Sequence, residues 1–389
     1  MIKKWSSRLT FFAFVVLMVG LGSNDSLRGI FSTIFQEHFS LTTTQLGLIV
    51  TASYIGNLVF LLVGGNLSTR FSKKRVLQVL ILIWMAALAL FAFTSNYTVL
   101  LIGMALALGS STLLNTTMNL ITPLLFATAP GFFVNFLFFT QEIGTSGSQY
   151  ILGSHADGFA FWQHTNLVLL ILGAVAFVLL LFCNVPEEAA APADALAQKG
   201  GYDWRIIVPY VLVFGFYFIA EHGVMNWMVA YGVDGLGLPQ ASAAKYLSVF
   251  FGGMMIGRLC LSPLVDKLGA LKSLAAFGGV SCVLYLIGSL GGAVTMPVWA
   301  ISGLSFSILY PTLVMSIRLY FPAQQVSGAA GTILSIASLA DILFNVGFGK
   351  LVDMAGYAVS IRVLPLSALA FFIVFILFTK FCKPTQKLK

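Results

Sequence analysis

A dozen long apolar segments dominate this chain of 389 residues, and they restrict its fold more than any other feature. A helix needs about 20 mainly apolar residues to cross a bilayer. Only 9% of the residues are charged, whereas about a quarter are charged in a soluble domain. The sequence therefore predicts a polytopic integral membrane protein. The apolar segments lie at about 9–34, 44–68, 76–95, 98–126, 131–154, 163–184, 205–233, 241–264, 271–291, 295–319, 325–349 and 360–381.

The longest polar stretch, residues 185–204, divides these segments into two sets of six. It contains Pro186-Glu187-Glu188, an Ala/Pro-rich run and Lys199-Gly200-Gly201, a composition typical of a solvated linker. We predict an all-α membrane protein with twelve transmembrane helices in two pseudo-symmetric six-helix bundles, residues 1–184 and 205–389. Two such halves are typical of transporters that rock around a solute site near the bilayer midplane.

The net charge of +8 comes from basic clusters that flank the apolar segments. Lys and Arg are enriched in cytoplasmic loops of membrane proteins. The pattern therefore predicts that both termini and the linker are cytoplasmic, and it argues against binding to nucleic acid. The clusters are Lys3, Lys4 and Arg8; Arg70, Lys73, Lys74 and Arg75; and the tail from Lys380 to Lys389.

The chain offers little for enzymatic chemistry. Its four cysteines have no metal-ligand spacing, and the sequence contains no phosphate-binding glycine loop and no arrangement like a catalytic triad. We expect no enzyme activity, no cofactor and no metal. The expected partners are a small solute, a proton and the lipid bilayer, and the expected state is a monomer.

Two loops resemble the signature Gly-x-x-x-Asp-Arg-x-Gly-Arg-Arg of the major facilitator superfamily. The first copy, from Gly65 to Lys74, keeps the glycine and the basic residues but has Thr69 at the acidic position. The second copy keeps Asp266 and Gly269. Because the copies lie six helices apart, they indicate the twelve-helix fold of this superfamily.

Further stretches resemble the fucose-proton symporter family, which includes fucose permeases and bacterial glucose/galactose transporters. The resemblance implies a transporter of the bacterial cytoplasmic membrane that couples the uptake of a small polar solute, such as a hexose, to protons. The stretches are Asn24-Asp25-Ser26-Leu27, the run from Phe39 to Leu48, the run from Tyr217 to Trp227, the run from Phe250 to Arg258, and Leu309-Tyr310-Pro311-Thr312.

The sequence departs from that family on the fourth helix. Fucose permeases carry a functional glutamate there, and Asn115 occupies the corresponding place in this chain. Because an amide cannot bind and release a proton, coupling must run through other acids, or the chain is not a proton symporter of that design.

Ionisable residues at membrane depth are costly, which makes them candidates for function. We predict that Asp25, Glu142 and Glu221 carry the coupled proton, with Asp25 first because position and resemblance agree. Asp25 has an alternative role as a structural ion pair with Arg28, three residues on and on the same helix face. Glu142 lies in a run of small residues that also suits close helix packing.

Solute recognition requires polar groups that converge and an aromatic face. Amides bind sugar hydroxyls as donor and acceptor, and aromatic rings pack on sugar C–H faces. The alternative is that such amides only bond neighbouring helices. The predicted solute-binding residues are Asn24, Arg28, Asn115, Asn119, Gln141, His222, Asn226, Trp227 and Tyr310.

A third set of charged residues is predicted to form a gate on the cytoplasmic side. Asp341 is expected to pair there with Arg318 or Lys350 rather than to couple protons. The gate residues are Arg70, Arg258, Asp266, Arg318 and Asp341.

Rival functions remain open from the sequence alone. If Arg28 faces the cavity, a sugar acid or another carboxylate is a plausible solute. The aromatic content and the missing fourth-helix acid would suit a proton-antiport exporter of amphipathic compounds. A uniporter, a sensor or a lipid scramblase on the same fold are further alternatives.

Overall fold

The computed structural model describes residues 2–126, 130–186 and 202–384, with the side chains of residues 2–6, 63–70, 130–132, 135, 266, 323–324 and 327 outside the description. The described chain is helical and contains no β-strand within those ranges. Its contacts divide it into two compact units, Met1–Ala191 and Pro192–Lys389, called here the N-terminal and C-terminal units. Most of the predicted linker, residues 187–201, lies outside the described residues.

The N-terminal unit contains seven described helices, one of them short. Asn96 begins α5 by accepting a hydrogen bond from the backbone N–H of Val99 at 3.2 Å, as expected for an N-cap residue. The helices are α1 (Ile2–Ile30), α2 (Ser32–His38), α3 (Thr43–Arg70), α4 (Lys73–Phe93), α5 (Tyr97–Leu125), α6 (Pro130–Ile151) and α7 (Phe159–Phe182).

The C-terminal unit begins with three long helices and continues with four short helices and the longer α14 and α16. A π-helical turn, Tyr231–Gly235, extends α8, and a 3-10 turn, Ile317–Leu319, follows α13. The α-helices are α8 (Trp204–Ala230), α9 (Gln240–Leu268), α10 (Ala270–Leu290), α11 (Met296–Ile301), α12 (Gly303–Phe306), α13 (Leu309–Ser316), α14 (Ala323–Ala355), α15 (Tyr357–Ser360) and α16 (Val363–Phe381).

The predicted tenth membrane helix, at about 295–319, is not continuous. It forms α11, α12 and α13, which are separated near Ser302 and Ser307. The hydroxyls of both serines donate to carbonyls three residues earlier, at 2.5 and 2.7 Å. Such bonds compete with the regular helical pattern, and one of them lies at each of the two interruptions.

Eleven segments of the described chain are long and apolar enough to cross a membrane. The twelfth helix of the expected fold is α6, which falls short because of its polar run from Thr140 to Gln149. A helix of this composition is stable at membrane depth when its polar side is covered by other helices. The buried positions of Thr145, Ser148 and Gln149 agree with this explanation.

Glycines bring α1 and α6 into direct backbone contact. A Cβ atom on Gly22 would lie 2.0 Å from the carbonyl oxygen of Gln141, and one on Gly144 would lie 2.1 Å from that of Val19. The Thr145 hydroxyl donates to the Gly22 carbonyl at 3.2 Å. Small residues allow this close approach in membrane helices, so part of the α6 polar run is structural.

Candidate functional site

One face of α5 presents a row of polar side chains inside the N-terminal unit. Ser111, Asn115 and Asn119 recur every four residues, a spacing that aligns them along one side of the helix. Because α5 packs against α1 and α6, this row can reach side chains on both neighbours. We call it the α5 polar row.

Asp25 on α1 joins the first member of the α5 polar row. Its Oδ2 accepts a hydrogen bond from the Ser111 hydroxyl at 3.1 Å, and its Oδ1 is buried without a hydrogen-bond partner. A carboxylate oxygen that lacks a donor inside a protein is costly. This position suits a group that changes its protonation state.

Arg28 acts electrostatically on Asp25 but forms no ion pair with it within 4.0 Å in the described structure. Its guanidinium instead lies 5.6 Å from the centre of the Tyr54 ring, a cation–π arrangement. Arg28 is only 5% exposed, and its Nε has no partner. The direct Asp25–Arg28 ion pair considered from the sequence is therefore absent, and both groups remain available to other chemistry.

The other two members of the α5 polar row connect to α6 through amides. Asn119 donates to Asn115 at 2.6 Å, and Asn115 donates to Gln141 at 2.7 Å. Asn115 and Gln141 are each half-buried. Three predicted solute-binding residues thus form one chain of amide hydrogen bonds, which begins one helical turn after Ser111, the partner of Asp25.

Two other predicted residues of this unit lie in different settings. Asn24 is buried, and its Oδ1 accepts from the indole N–H of Trp84 at 3.3 Å, which ties α1 to α4. This is the helix-bonding role that the sequence left open for amides. Glu142 is half-buried and follows Gln141 on α6.

Aromatic rings and two opposite charges meet inside the C-terminal unit. Tyr217 stacks on Phe306 at 5.0 Å and on Tyr310 at 6.0 Å between ring centres. Glu221 and Arg258 both act electrostatically on Tyr217 and Tyr310. The Tyr217 hydroxyl is buried beside Glu221. We call these five residues the tyrosine cluster.

The sequence profile of the Major Facilitator Superfamily matches residues 10–344. The chain belongs to the Major Facilitator Superfamily. It is therefore an integral membrane transporter and not an enzyme, as the composition and the loop signatures predicted.

Three curated relatives resemble this major facilitator protein along much of its length. The L-fucose-proton symporter of Escherichia coli is 24% identical, over 93% of this chain and 90% of its own. The cis,cis-muconate transport protein of Acinetobacter baylyi is 24% identical, over 71% and 70%. A glucose/galactose transporter of Brucella abortus is 27% identical, over 82% and 81%. The predicted similarity to the fucose-proton symporter family is confirmed.

A solved structure shows the same fold. The D-xylose-proton symporter has a TM-score of 0.78 at 16% identity, with 97% of this chain and 98% of that chain covered. At this identity the match concerns the fold alone, and it agrees with the predicted all-α architecture of twelve membrane helices.

A second polar group of this major facilitator protein links α8 to α14. The Trp227 indole donates to Asn345 at 2.8 Å, and His222 Nδ1 lies 2.8 Å from Asp341 Oδ2. Asp341 was expected to pair with Arg318 or Lys350 at a cytoplasmic gate. The prediction of its partner was wrong, because Asp341 is 1% exposed and faces His222 inside the unit.

The remaining gate residues are placed as follows. Arg318 is exposed on a 3-10 turn. Arg258 is half-buried beside the tyrosine cluster. The side chains of Arg70 and Asp266 lie outside the described residues.

Asn226, predicted to bind solute, is 2% exposed on α8.

Sequence reasoning missed three residues that complete these groups. Ser111 lies one turn before Asn115, Asn345 lies one turn after Asp341, and Tyr54 lies on α3. The four-residue spacing could have indicated the first two, since it marks residues on one helix face. For Tyr54 the sequence contains no such signal, because its partner Arg28 lies on another helix. Within the described residues no group of three or more His, Cys, Asp or Glu could hold a metal ion.

Proposed function

We propose that this major facilitator protein is a proton-coupled symporter that takes up a small polar solute, such as a hexose, by alternating access. The observation that carries the proposal is the α5 polar row, which holds the Asp25 carboxyl and three amides together. A proton site and a hydroxyl-binding site would then share one helix face. The L-fucose-proton symporter and the glucose/galactose transporter are relatives whose solutes have this chemistry.

The amide chain supplies the recognition of hydroxyls in this proposal. Amides offer donors and acceptors in fixed directions, and the Asn119 Oδ1 is buried without a partner. A sugar hydroxyl could satisfy it and replace one of the amide–amide bonds. In the C-terminal unit, Tyr310 offers an aromatic face, and the predicted residues His222, Asn226 and Trp227 lie on α8 of that unit.

Asp25 is the proposed coupling acid, with Glu142 and Glu221 as further candidates. The carboxyl of Asp25 accepts one hydrogen bond from Ser111 and leaves one oxygen bare. A proton on that oxygen would remove the cost of a buried charge. Binding of the solute to the neighbouring amide chain would then favour the protonated form of Asp25, so that the solute and the proton enter together.

The solute is identified by counterflow in proteoliposomes loaded with unlabelled compound. The panel contains L-fucose, D-galactose, D-glucose, D-glucuronate and cis,cis-muconate, each offered in labelled form. The proposal expects one neutral sugar to exchange well above protein-free liposomes. Exchange of no sugar in the panel would reject it.

Asn115→Ala is expected to raise the KM for the transported sugar ~10-fold or more, because a polar site that loses a partner for a hydroxyl discriminates strongly. The amount of folded protein is expected to stay unchanged, since Asn115 is half-buried. Thr116→Ala, on an exposed face of the same helix, is the matched control. An unchanged KM for Asn115→Ala would show that the amide chain only joins helices.

A second candidate solute is a carboxylate, because Arg28 is buried with an unpartnered Nε. The cis,cis-muconate transport protein is a relative of this kind. Under this alternative, Arg28→Gln reduces exchange of cis,cis-muconate or glucuronate ~100-fold, since guanidinium and carboxylate form strong paired bonds. Under the hexose proposal, carboxylates fail to exchange in the wild type as well.

The remaining features of the proposal concern the setting of the protein. We place it in the bacterial cytoplasmic membrane as a monomer, with both termini and residues 185–204 in the cytoplasm. Residues 1–184 and 205–389 would form the two bundles. The distribution of Lys and Arg around the membrane segments supports this orientation.

A further inference from the structure

His222 on α8 and Asp341 on α14 form a direct pair inside the C-terminal unit. The Nδ1 atom of His222 lies 2.8 Å from Oδ2 of Asp341. The Asp341 side chain is 2% exposed, whereas that of His222 is 25% exposed. The imidazole therefore connects a deeply buried carboxylate to a more open position. Imidazole is the side chain best suited to exchange protons at physiological pH.

Neighbouring side chains fix the geometry of this pair. The His222 ring lies parallel to Phe218, with 5.3 Å between ring centres and an angle of 6°. Asn345 donates to the backbone carbonyl of Asp341 at 2.7 Å and accepts from the Trp227 indole at 2.8 Å. The pair is thus held between two packed helices and does not depend on flexible surface side chains.

The charge of the pair depends on one proton. When His222 is protonated, its charge cancels that of Asp341, and the pair is neutral overall. When that proton leaves, a negative charge remains on Asp341, whose Oδ1 is buried without a partner. Removing one charge of a buried pair is strongly destabilising. Proton occupancy therefore determines how readily α8 and α14 keep this arrangement.

We propose that the His222–Asp341 pair takes up and releases a proton during transport, as a second coupling site beside Asp25. The inference rests on the proposed function and extends it to the C-terminal unit. The His222–Asp341 pair adds a titratable group to a chain that has Asn115 on α5, where related symporters have an acid. The proton enters at the exposed edge of His222, and its loss leaves the buried Asp341 charge that favours rearrangement.

Other charged groups lie on the elements around the pair. Glu221 directly precedes His222 on α8, and together with Arg258 of α9 it acts, with opposite charge, on Tyr217 and Tyr310. Further titratable side chains on α8, α14 and the elements around them include Arg205 and Tyr210 on α8, Tyr231 and Asp234 on the π-helical turn, Lys245, Tyr246, Cys260 and Lys267 on α9, Lys272, Cys282 and Tyr285 on α10, Tyr310 on α13, Arg318 on the 3-10 turn, Lys350 and Asp353 on α14, Tyr357 on α15 and Lys380 on α16.

The first test needs no solute. The Tm of purified protein is measured in detergent from about pH 5 to about pH 8, the range in which histidine changes charge. The variants are His222→Gln and Asp341→Asn, with His164→Gln, an exposed histidine on α7, as the control. Because the ion pair is complete only while His222 is protonated, the Tm loss in His222→Gln should be largest near the acidic end and shrink as pH rises.

The second test measures transport of labelled L-fucose, D-galactose and D-glucose by the same variants. We expect proton-driven accumulation to fall at least ~10-fold in His222→Gln and Asp341→Asn, while counterflow persists in Asp341→Asn, because only the proton-linked step is lost in that variant. A Tm loss that is constant across the pH range, together with normal accumulation, would overturn the inference. If the wild type accumulates none of these three sugars under a proton gradient, the proposed function fails, whereas the Tm comparison still decides whether the pair titrates.

Discussion

Asp25→Asn abolishes proton-driven accumulation of the transported sugar, while exchange of labelled for unlabelled sugar continues. Asparagine has nearly the same shape, and its Oδ1 can still accept the Ser111 hydrogen bond that Asp25 accepts at 3.1 Å. It cannot carry a proton. We expect accumulation under an inward proton gradient to fall at least ~10-fold, because a positioned proton carrier contributes by that factor or more.

The control for this prediction is Asp157→Asn, which changes an exposed acid in the connection between α6 and α7. Accumulation by this variant should equal that of the wild type. Full accumulation by Asp25→Asn would remove Asp25 from the coupling step. A parallel loss of exchange and accumulation would assign it a structural role, with Ser111 as its partner.

The second large effect concerns the contact between α1 and α6. Gly144→Ala would place a methyl carbon 2.1 Å from the Val19 carbonyl oxygen, a distance at which one backbone must move. Overpacking of this kind costs about 1–3 kcal/mol or more. We therefore expect Tm to fall by about 1–4 °C in detergent. Transport is expected to fall as well, because Gln141 and Gly22 lie at the same contact.

Gly147→Ala is the matched control, since Gly147 lies three residues further along α6 and nothing is within 4 Å of its added Cβ. Alanine favours a helix over glycine by up to about 1 kcal/mol, so its Tm should equal or exceed that of the wild type. Equal Tm values for both variants would show that the α1–α6 contact is more yielding than its geometry indicates.

Much of the fold could be predicted because the bilayer imposes simple requirements on sequence. Long apolar segments mark each membrane helix, and the two loop copies marked the repeated halves. The interruption at Ser302 and Ser307 was not predicted, since hydropathy does not register hydrogen bonds from serine to the backbone. The polar helix α6 was placed correctly by its position between better-defined segments.

The candidate site was predictable residue by residue but not in its pairings. Asp25, Asn115 and Gln141 stood out because polar residues are rare in such segments. Helical spacing shows which residues share a face, yet it does not show which helix covers that face. For this reason Asp25 was considered with Arg28 and not with Ser111. Asp341 was assigned to a gate although it contacts His222.

The central claim is that sugar and proton cross the membrane together, and proton flux tests it most directly. Wild-type protein is placed in liposomes that contain a pH-sensitive dye, and L-fucose, D-galactose and D-glucose are added outside in turn without a proton gradient. The account predicts that one of these sugars acidifies the interior as it enters, and that Asp25→Asn removes the acidification. Entry of the sugar with no change in internal pH would contradict proton coupling and leave a uniporter.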